Sequence, residues 1–142
     1  DDSPDCVDND DDNDGQTDAD ELACGSNQFD SGSLSPDFDG DNTPDCVDPD
    51  DDNDQVLDGA DVCPGTFIPE ARIPTSGALG PNRYALLDGD TSFDRNGEST
   101  SITITDTGGC SAEQIADELD LGKGHYQFGL SKSALQSWLN QL

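Results

Sequence analysis

Positive charge is nearly absent from this chain. Its 142 residues contain 5 lysines and arginines against 33 acidic residues, which gives a net charge of −28. Residues 1–64 hold 22 aspartates and one glutamate, with no lysine or arginine. A surface with this charge repels phosphate groups, so the composition excludes nucleic acid and anionic membranes as direct partners.

Large apolar side chains are also scarce in the first half, and no run of them is long enough to span a membrane. Ordering the backbone costs roughly 1–2 kcal/mol per residue, whereas burying one apolar side chain returns about 1.5–3 kcal/mol. Metal ions and disulfides must therefore stabilise this region, and without metal we expect an acidic, disordered segment. The apolar residues available there are Val7, Leu22, Phe29, Leu34, Phe38, Val47, Val56, Leu57 and Val62.

The chain has little of what zinc sites and hydrolytic active sites require. There is one histidine, His125, and no CxxC pair, which disfavours a zinc site. A nucleophile and a base can be drawn from Cys110, or a serine, with His125 and an aspartate, but no motif positions them. We therefore expect no enzymatic activity.

Aspartates in the first half recur at a fixed spacing. In the three segments 10–21, 37–48 and 50–61, acidic side chains occupy positions 1, 3, 5, 9 and 12 of a twelve-residue loop. This is the ligand spacing of an EF-hand loop, in which position 7 adds a backbone carbonyl and a hard cation takes six to eight oxygens. The sequence therefore predicts several bound calcium ions. The predicted ligands are Asp10, Asp12, Asp14, Gln16, Asp18 and Glu21; Asp37, Asp39, Asp41, Thr43, Asp45 and Asp48; and Asp50, Asp52, Asp54, Val56, Asp58 and Asp61.

Position 6 of each loop is expected to make a sharp turn. It is occupied by Gly15, Asn42 and Gln55 in the three loops. A left-handed backbone is easy for glycine, tolerable for asparagine and poor for glutamine. The third loop is therefore predicted to be strained at Gln55.

The loops belong to an internal repeat. DCVDNDDDND and DCVDPDDDND are nearly identical and lie forty residues apart. Residues 1–8 match the end of the loop that closes at Asp48, so Asp1, Asp5 and Asp8 are predicted ligands of a truncated first loop. We therefore expect upstream domains of a longer parent protein to precede this chain.

Over residues 1–65, the strings DGDNTPDCVDPDDDND and DVCPGT resemble bacterial thrombospondin type 3 repeats. The resemblance implies a chain with almost no regular secondary structure that wraps around a line of calcium ions and is stapled by disulfides. Helices flanking the loops are not expected, because Asp, Pro and Gly surround each loop. Residues 66–142, which include DTGGCSAEQI and LGKGHYQFGLSKSAL, resemble a C-terminal module that follows such repeats in secreted bacterial proteins.

Five cysteines in a short chain indicate disulfides and an oxidising compartment. The resemblance implies the pairs Cys24–Cys46 and Cys63–Cys110, with Cys6 left over. Spacing is also compatible with Cys6–Cys24 and Cys46–Cys63, which leaves Cys110 free, and the sequence alone does not fix the connectivity. The expected location is extracellular or at the cell surface.

The second half predicts a small α+β subdomain with a β-hairpin and two helices. Alternating residues around 83–87 and 101–105 predict the two strands. The acidic segment 88–98 between them is interpreted as a pair of turns, with a further ion site as the alternative. The first helix is capped by Ser111 with Gln114, and the second follows Ser131. The apolar face of the second helix comprises Ala134, Leu135, Trp138, Leu139 and Leu142.

Two functional hypotheses follow. The first is an extracellular calcium-binding structural module that rigidifies or caps a larger secreted or surface protein. The alternative is an adhesion, glycan-recognition or self-assembling fibre module. Exposure of the rings of Tyr84, Tyr126, Phe128 and Trp138 would favour recognition, whereas their burial would favour a cap.

Overall fold

The computed structural model describes residues 7–72 and 79–142. The chain divides into two compact units, of which the first ends at Asp51 and the second comprises Asp52–Leu142. The boundary predicted between residues 65 and 66 lies within the second unit.

The described part of the first unit is irregular apart from one short helix. This helix, α1, spans Asp18–Cys24, follows the N-cap residue Thr17 and ends at the left-handed residue Gly25. The expectation that no helix would flank a loop is therefore wrong for the first loop. Residues 18–24 contain neither Gly nor Pro, and the acidic side chains of the first turn favour a helix N-terminus.

The first unit has no apolar core among its described residues. Its buried side chains are Gln16, Glu21, Ser35 and Pro44. Burial of apolar surface therefore contributes little to holding this unit together. The large apolar side chains are instead exposed, and they are Val7, Leu22, Phe29, Leu34, Phe38 and Val47.

A four-stranded antiparallel sheet forms the centre of the second unit within the described residues. Its strands are β1 Arg83–Ala85, β2 Ser92–Arg95, β3 Glu98–Thr103 and β4 Leu130–Ser131. They lie in the order β3-β2-β1-β4, so β2 and β1 are central and β3 and β4 are the edge strands. The predicted hairpin is wrong, because its two strands, β1 and β3, are separated by a third strand, β2, which lies in the segment interpreted as two turns. A left-handed Asn96-Gly97 turn joins this strand to the next, as a two-residue hairpin requires.

Within the described part of the second unit, three α-helices pack with this sheet, rather than the two predicted. They are α2 Ala112–Glu118, α3 Lys123–Phe128 and α4 Lys132–Leu139, and a short 3-10 helix spans Thr105–Thr107. The predicted capping box of Ser111 with Gln114 is present, and Ser131 caps α4. Leu142 is exposed, unlike the rest of the predicted apolar face. The fully buried apolar core includes Leu86, Phe93, Ile104, Ile115, Leu130 and Leu135.

Glu70 ties the segment before the sheet to helix α2. Its Oε1 accepts hydrogen bonds from the backbone N–H groups of Leu86 (2.8 Å) and Ala112 (3.0 Å), and its Oε2 accepts one from Glu113 (3.0 Å). Burial raises the pKa of Glu70 to about 8, although the three N–H donors favour the ionised form and act to lower the pKa. The carboxyl group thereby satisfies two of the N–H groups that a helix N-terminus leaves open.

Two disulfides lie within the two units. Cys24 pairs with Cys46 in the first unit, and Cys63 pairs with Cys110 in the second. This is the connectivity that the family resemblance implied, and Cys6 lies outside the described residues. Disulfides are consistent with an extracellular protein. In the described residues, no helix has the length and apolar character needed to cross a membrane.

Candidate metal centre

The three aspartate loops share one backbone conformation. In each loop the residues at positions 4 and 6 adopt a positive φ, so the chain turns sharply twice around the first three acidic positions. Gln55 is left-handed, as predicted for the third loop. The φ values are 61° for Asn13 and 104° for Gly15, 78° for Gly40 and 75° for Asn42, and 53° for Asn53 and 79° for Gln55.

Each loop also repeats the same hydrogen bonds from side chain to backbone. The position 5 aspartate accepts from the N–H of position 7, which is Gln16 (2.9 Å), Thr43 (2.7 Å) or Val56 (2.7 Å). The position 3 aspartate accepts from the N–H of position 5 at 3.2, 2.9 and 3.2 Å in the three loops. The chain itself therefore orients these carboxylates.

The carboxylates at positions 1, 3 and 5 converge in every loop. Within each triplet, one oxygen from each residue lies within 4.8 Å of the others. Two oxygens that bind one calcium ion at 2.3–2.6 Å are at most about 5 Å apart, so each triplet is narrow enough to share an ion. The triplets are Asp10, Asp12 and Asp14; Asp37, Asp39 and Asp41; and Asp50, Asp52 and Asp54.

The aspartates at position 9 lie outside these triplets and close the loops instead. Asp18 Oδ1 accepts from the N–H of Asp11 at 2.9 Å, and Asp45 Oδ1 accepts from the N–H of Phe38 at 2.7 Å. Both bonds join position 9 to position 2. In the third loop the corresponding residue, Asp58, is exposed.

Glu21, at position 12 of the first loop, is a buried carboxylate on which the charges of other carboxylates of the loop act. Its side chain is 0% exposed; Oε1 accepts from the hydroxyl of Ser26 (3.2 Å), while Oε2 has no hydrogen-bond partner among the described residues. Burial raises the pKa of Glu21, and the charges of Asp14, Asp12 and Asp18 raise it further.

The triplet of the first loop, Asp10, Asp12 and Asp14, also contains buried oxygens that lack donors. Asp12 Oδ2 and Asp14 Oδ2 are buried atoms for which residues 7–72 and 79–142 supply no hydrogen-bond partner. Burial, with the neighbouring charges of Asp14 and Asp10, raises the pKa of Asp12. Buried anionic oxygens without donors are costly, and a cation held among them supplies what they lack. The residues of the first loop therefore fit a metal ion.

The remaining predicted ligands at position 12 and in the truncated loop contact the following residues of the chain. Asp48 Oδ1 accepts from the N–H of Asp50 at 3.0 Å, and Asp8 Oδ1 accepts from the N–H of Asp10 at 3.4 Å. Each of these aspartates therefore touches the first residue of the next loop. Asp61 Oδ1 accepts from the N–H of Cys63 at 2.8 Å. Asp1 and Asp5 lie outside the described residues.

A polar network that sequence analysis missed supports the first loop. The side-chain amide of Gln16 donates to the carbonyl of Ser35 and accepts from its N–H, both at 2.9 Å. The Ser35 hydroxyl lies 2.9 Å from that of Ser26, which contacts Glu21. The pattern marked Gln16 for its backbone carbonyl alone, so no sequence signal pointed to its side chain.

The residues considered for a nucleophile and base have other partners. The sulfur of Cys110 is bonded to Cys63. His125 Nδ1 lies 3.4 Å from Nη1 of Arg83, and burial, together with that guanidinium, lowers the pKa of His125. Cys110 therefore has no thiolate to offer.

No protein-family model, no curated protein and no solved structure matches this chain. The resemblance to thrombospondin type 3 repeats therefore remains a hypothesis. What the structure adds is the repeated loop geometry and three acidic triplets that can hold a metal ion.

Replacing Gln55 with glycine is expected to tighten calcium binding by the third loop about fivefold, which corresponds to ~1 kcal/mol of relieved backbone strain. Gln55 has a φ of 79°, which glycine adopts without a steric penalty. Isothermal titration calorimetry of the variant and the parent chain measures the change. Gln55→Ala is the matched control, since it shortens the side chain but keeps Cβ; an affinity for Gln55→Gly no higher than this control would show that strain at position 6 does not limit binding.

Proposed function

We propose that this chain is an extracellular calcium-binding structural module, built from thrombospondin type 3-like repeats, that stiffens or caps a larger secreted or surface bacterial protein. The observation that carries the proposal is the fully buried carboxylate of Glu21, whose Oε2 has no donor among the described residues and whose pKa is raised by burial and by the charges of Asp14 and Asp12. An ion among these groups would neutralise charges that otherwise destabilise the loop.

The donor chemistry favours calcium. Every predicted ligand is an oxygen, which suits a hard cation rather than zinc or copper. The five carboxylates and one carbonyl predicted for each loop would meet the minimum of six ligands for calcium, and three of those carboxylates converge in each loop, whereas magnesium demands stricter octahedral geometry and retains water. Millimolar calcium outside cells would keep even weak sites filled, which agrees with a chain that contains two disulfides.

The packing of the first unit supports a structural role for the ions. Because its described residues bury no large apolar side chain, ligand binding is the main available source of stability. Each site filled at a calcium concentration 100-fold above its Kd adds about 2.7 kcal/mol to folding. Several such sites offset a substantial part of the backbone entropy of a short, irregular unit.

The aromatic residues of the second unit favour the role of a cap rather than that of a recognition surface. Tyr84 and Trp138 are buried, and Tyr126 is partly buried against the core. Phe128, at the end of α3, is exposed by 42%. Phe67 of the same unit is also exposed, by 58%, so the preference for a cap rests on the burial of Tyr84 and Trp138 and not on a lack of exposed rings.

Native mass spectrometry of the purified chain in calcium, and again after EDTA, tests the proposal. We expect three or more bound calcium ions with a compact charge-state envelope that broadens after chelation. Glu21→Gln should lose one ion at limiting calcium, while Glu118→Gln, which removes an equal charge from an exposed helix position, should lose none. Absence of bound calcium, or identical ion counts for the two variants, would refute the proposal.

A second candidate function is adhesion, glycan recognition or self-assembly, and the exposed apolar side chains of the first unit favour it. Leu22, Phe29 and Leu34 are 74%, 63% and 58% exposed. Sedimentation velocity in calcium over a range of protein concentrations tests for assembly. Sedimentation that depends on concentration in the parent chain, and is lost in Phe29→Ser, would support this alternative; a monomer at all concentrations would remove self-assembly from it.

A further inference from the structure

Gly109 lies against the carboxylates of the third loop. It follows the 3-10 helix Thr105–Thr107 and has a φ of 86°. A Cβ built on Gly109 would overlap the carboxylate of Asp61 and would lie 3.2 Å from Oδ2 of Asp54. A side chain of any size therefore cannot be placed here without moving two predicted calcium ligands.

Further contacts hold the same turn to the region around the third loop. The N–H of Val62 donates to the carbonyl of Gly108 at 2.9 Å, directly after Asp61. The hydroxyl of Thr66 donates to the carbonyl of Gly109 at 2.6 Å, while the N–H of Thr66 donates to Asp52 Oδ2 at 2.6 Å. The turn is therefore linked to the position 3 aspartate, Asp52, through Thr66, and to the position 12 aspartate, Asp61, through the adjacent Val62.

The other side of the turn contacts the one tryptophan of the chain. Trp138, on α4, donates from Nε1 to the carbonyl of Thr107 at 2.9 Å. This carbonyl lies two residues before Gly109. Because Trp138 is buried and the chain holds no other tryptophan, its emission reports on the position of this turn.

We propose that Gly109 is a positioning residue for the third calcium loop, and that it couples filling of this loop to the packing of Trp138. This inference rests on the proposed calcium function and extends it by naming how one site communicates with the C-terminal fold. An ion bound in the third loop would draw Asp54 and Asp61 toward it. Because these carboxylates lie against Gly109, their movement shifts the turn and the hydrogen bond of Trp138.

The test is a calcium titration of the full chain followed by Trp138 fluorescence, with bound ions counted in parallel by native mass spectrometry. The parent chain is expected to change its Trp138 emission as the third loop fills. Gly109→Ala is expected to shift the midpoint of this change to at least tenfold higher calcium. Gly97→Ala is the matched control, because Gly97 has a similar φ of 84° and open space around its Cβ position; its calcium midpoint should equal that of the parent.

A pair of side-chain variants carries the same test without altering the backbone. Asp61→Asn is expected to remove the Trp138 response or shift it at least tenfold, because it weakens the third loop. Asp14→Asn is expected to lower the ion count through the first loop and to leave the Trp138 response in place. This contrast assigns the signal to one loop.

The outcomes separate the two proposals. Bound calcium in the parent chain with a silent Trp138, or with equal midpoints for Gly109→Ala and Gly97→Ala, would overturn the coupling and leave the calcium function standing. A parent chain that binds no calcium would overturn both. A Trp138 response abolished by Asp14→Asn and kept in Asp61→Asn would also overturn the assignment to the third loop.

Discussion

Chelation of divalent cations is expected to unfold residues 7–51 and to leave the core of residues 79–142 folded. The first range contains 16 acidic residues and no lysine or arginine, and its large apolar side chains are exposed. Without an ion, the carboxylates of Glu21, Asp12 and Asp14 repel one another, and each keeps one buried oxygen that has no donor among the described residues. The second unit has an apolar core, and none of the predicted calcium ligands belongs to it.

The Cys24–Cys46 disulfide is not expected to rescue the first unit. It closes a separation of 22 residues, for which loop-closure entropy gives about 3 kcal/mol. Ordering the backbone of some forty residues costs roughly 1–2 kcal/mol each. The disulfide therefore limits how far the unfolded segment expands, but it does not keep the segment folded.

Hydrogen exchange followed by mass spectrometry measures this outcome segment by segment. In calcium, amides of the three loops should be protected; in EDTA, those before residue 51 should exchange at nearly unfolded rates while β2, α2 and α4 stay protected. Adding calcium back should restore protection, at a higher concentration for Glu21→Gln than for Glu118→Gln. Equal protection in calcium and EDTA would show that the loops fold without metal.

The loops could be predicted from the sequence because their geometry is local. Of the five acidic positions predicted to bind one ion, positions 1, 3 and 5 converge in each loop, and Gln55 at position 6 is left-handed as expected. The aspartates at position 9 of the first two loops instead accept hydrogen bonds from the backbone. The caps at Ser111 and Ser131 were predictable for the same reason, since each depends on a residue three positions away.

What the sequence did not predict depends on contacts between distant residues. Strand β4 pairs with β1 across more than forty residues, and two residues alone are too short to show an alternating pattern. Helix α3 contains Gly124 and follows Gly122, so its segment resembles a loop. The close approach of Gly109 to Asp61 also has no local signature, because it follows from tertiary packing.

Removing the Cys63–Cys110 disulfide is expected to destabilise the second unit by about 4 kcal/mol. The bridge spans a sequence separation of 47 residues, and loop-closure entropy for a loop of that length corresponds to about 4 kcal/mol at 25 °C. Both cysteines are buried, so Cys63→Ala with Cys110→Ala avoids placing hydroxyl groups in the core. Urea denaturation in calcium, followed by Trp138 fluorescence, measures the change.

A double variant of the other bridge provides the control. Cys24→Ala with Cys46→Ala removes a disulfide of the first unit and is expected to leave the Trp138 transition where it is in the parent chain. A change below 1 kcal/mol for Cys63→Ala with Cys110→Ala would contradict the prediction, and it would mean that contacts of Thr66 and Gln114 already constrain this segment.

Whether the second unit stays folded without the Cys63–Cys110 bridge depends on how this loss compares with the total stability of the unit. A unit of about 90 residues at 0.05–0.15 kcal/mol per residue has roughly 5–14 kcal/mol of stability. A loss of about 4 kcal/mol therefore leaves a folded but weakened sheet, since the core around Phe93 and Ile115 remains. The double alanine variant should consequently unfold in a single transition at lower urea, with a native Trp138 signal before it. In the first unit, whose described residues bury no large apolar side chain, loss of the Cys24–Cys46 bridge would add to the loss of calcium.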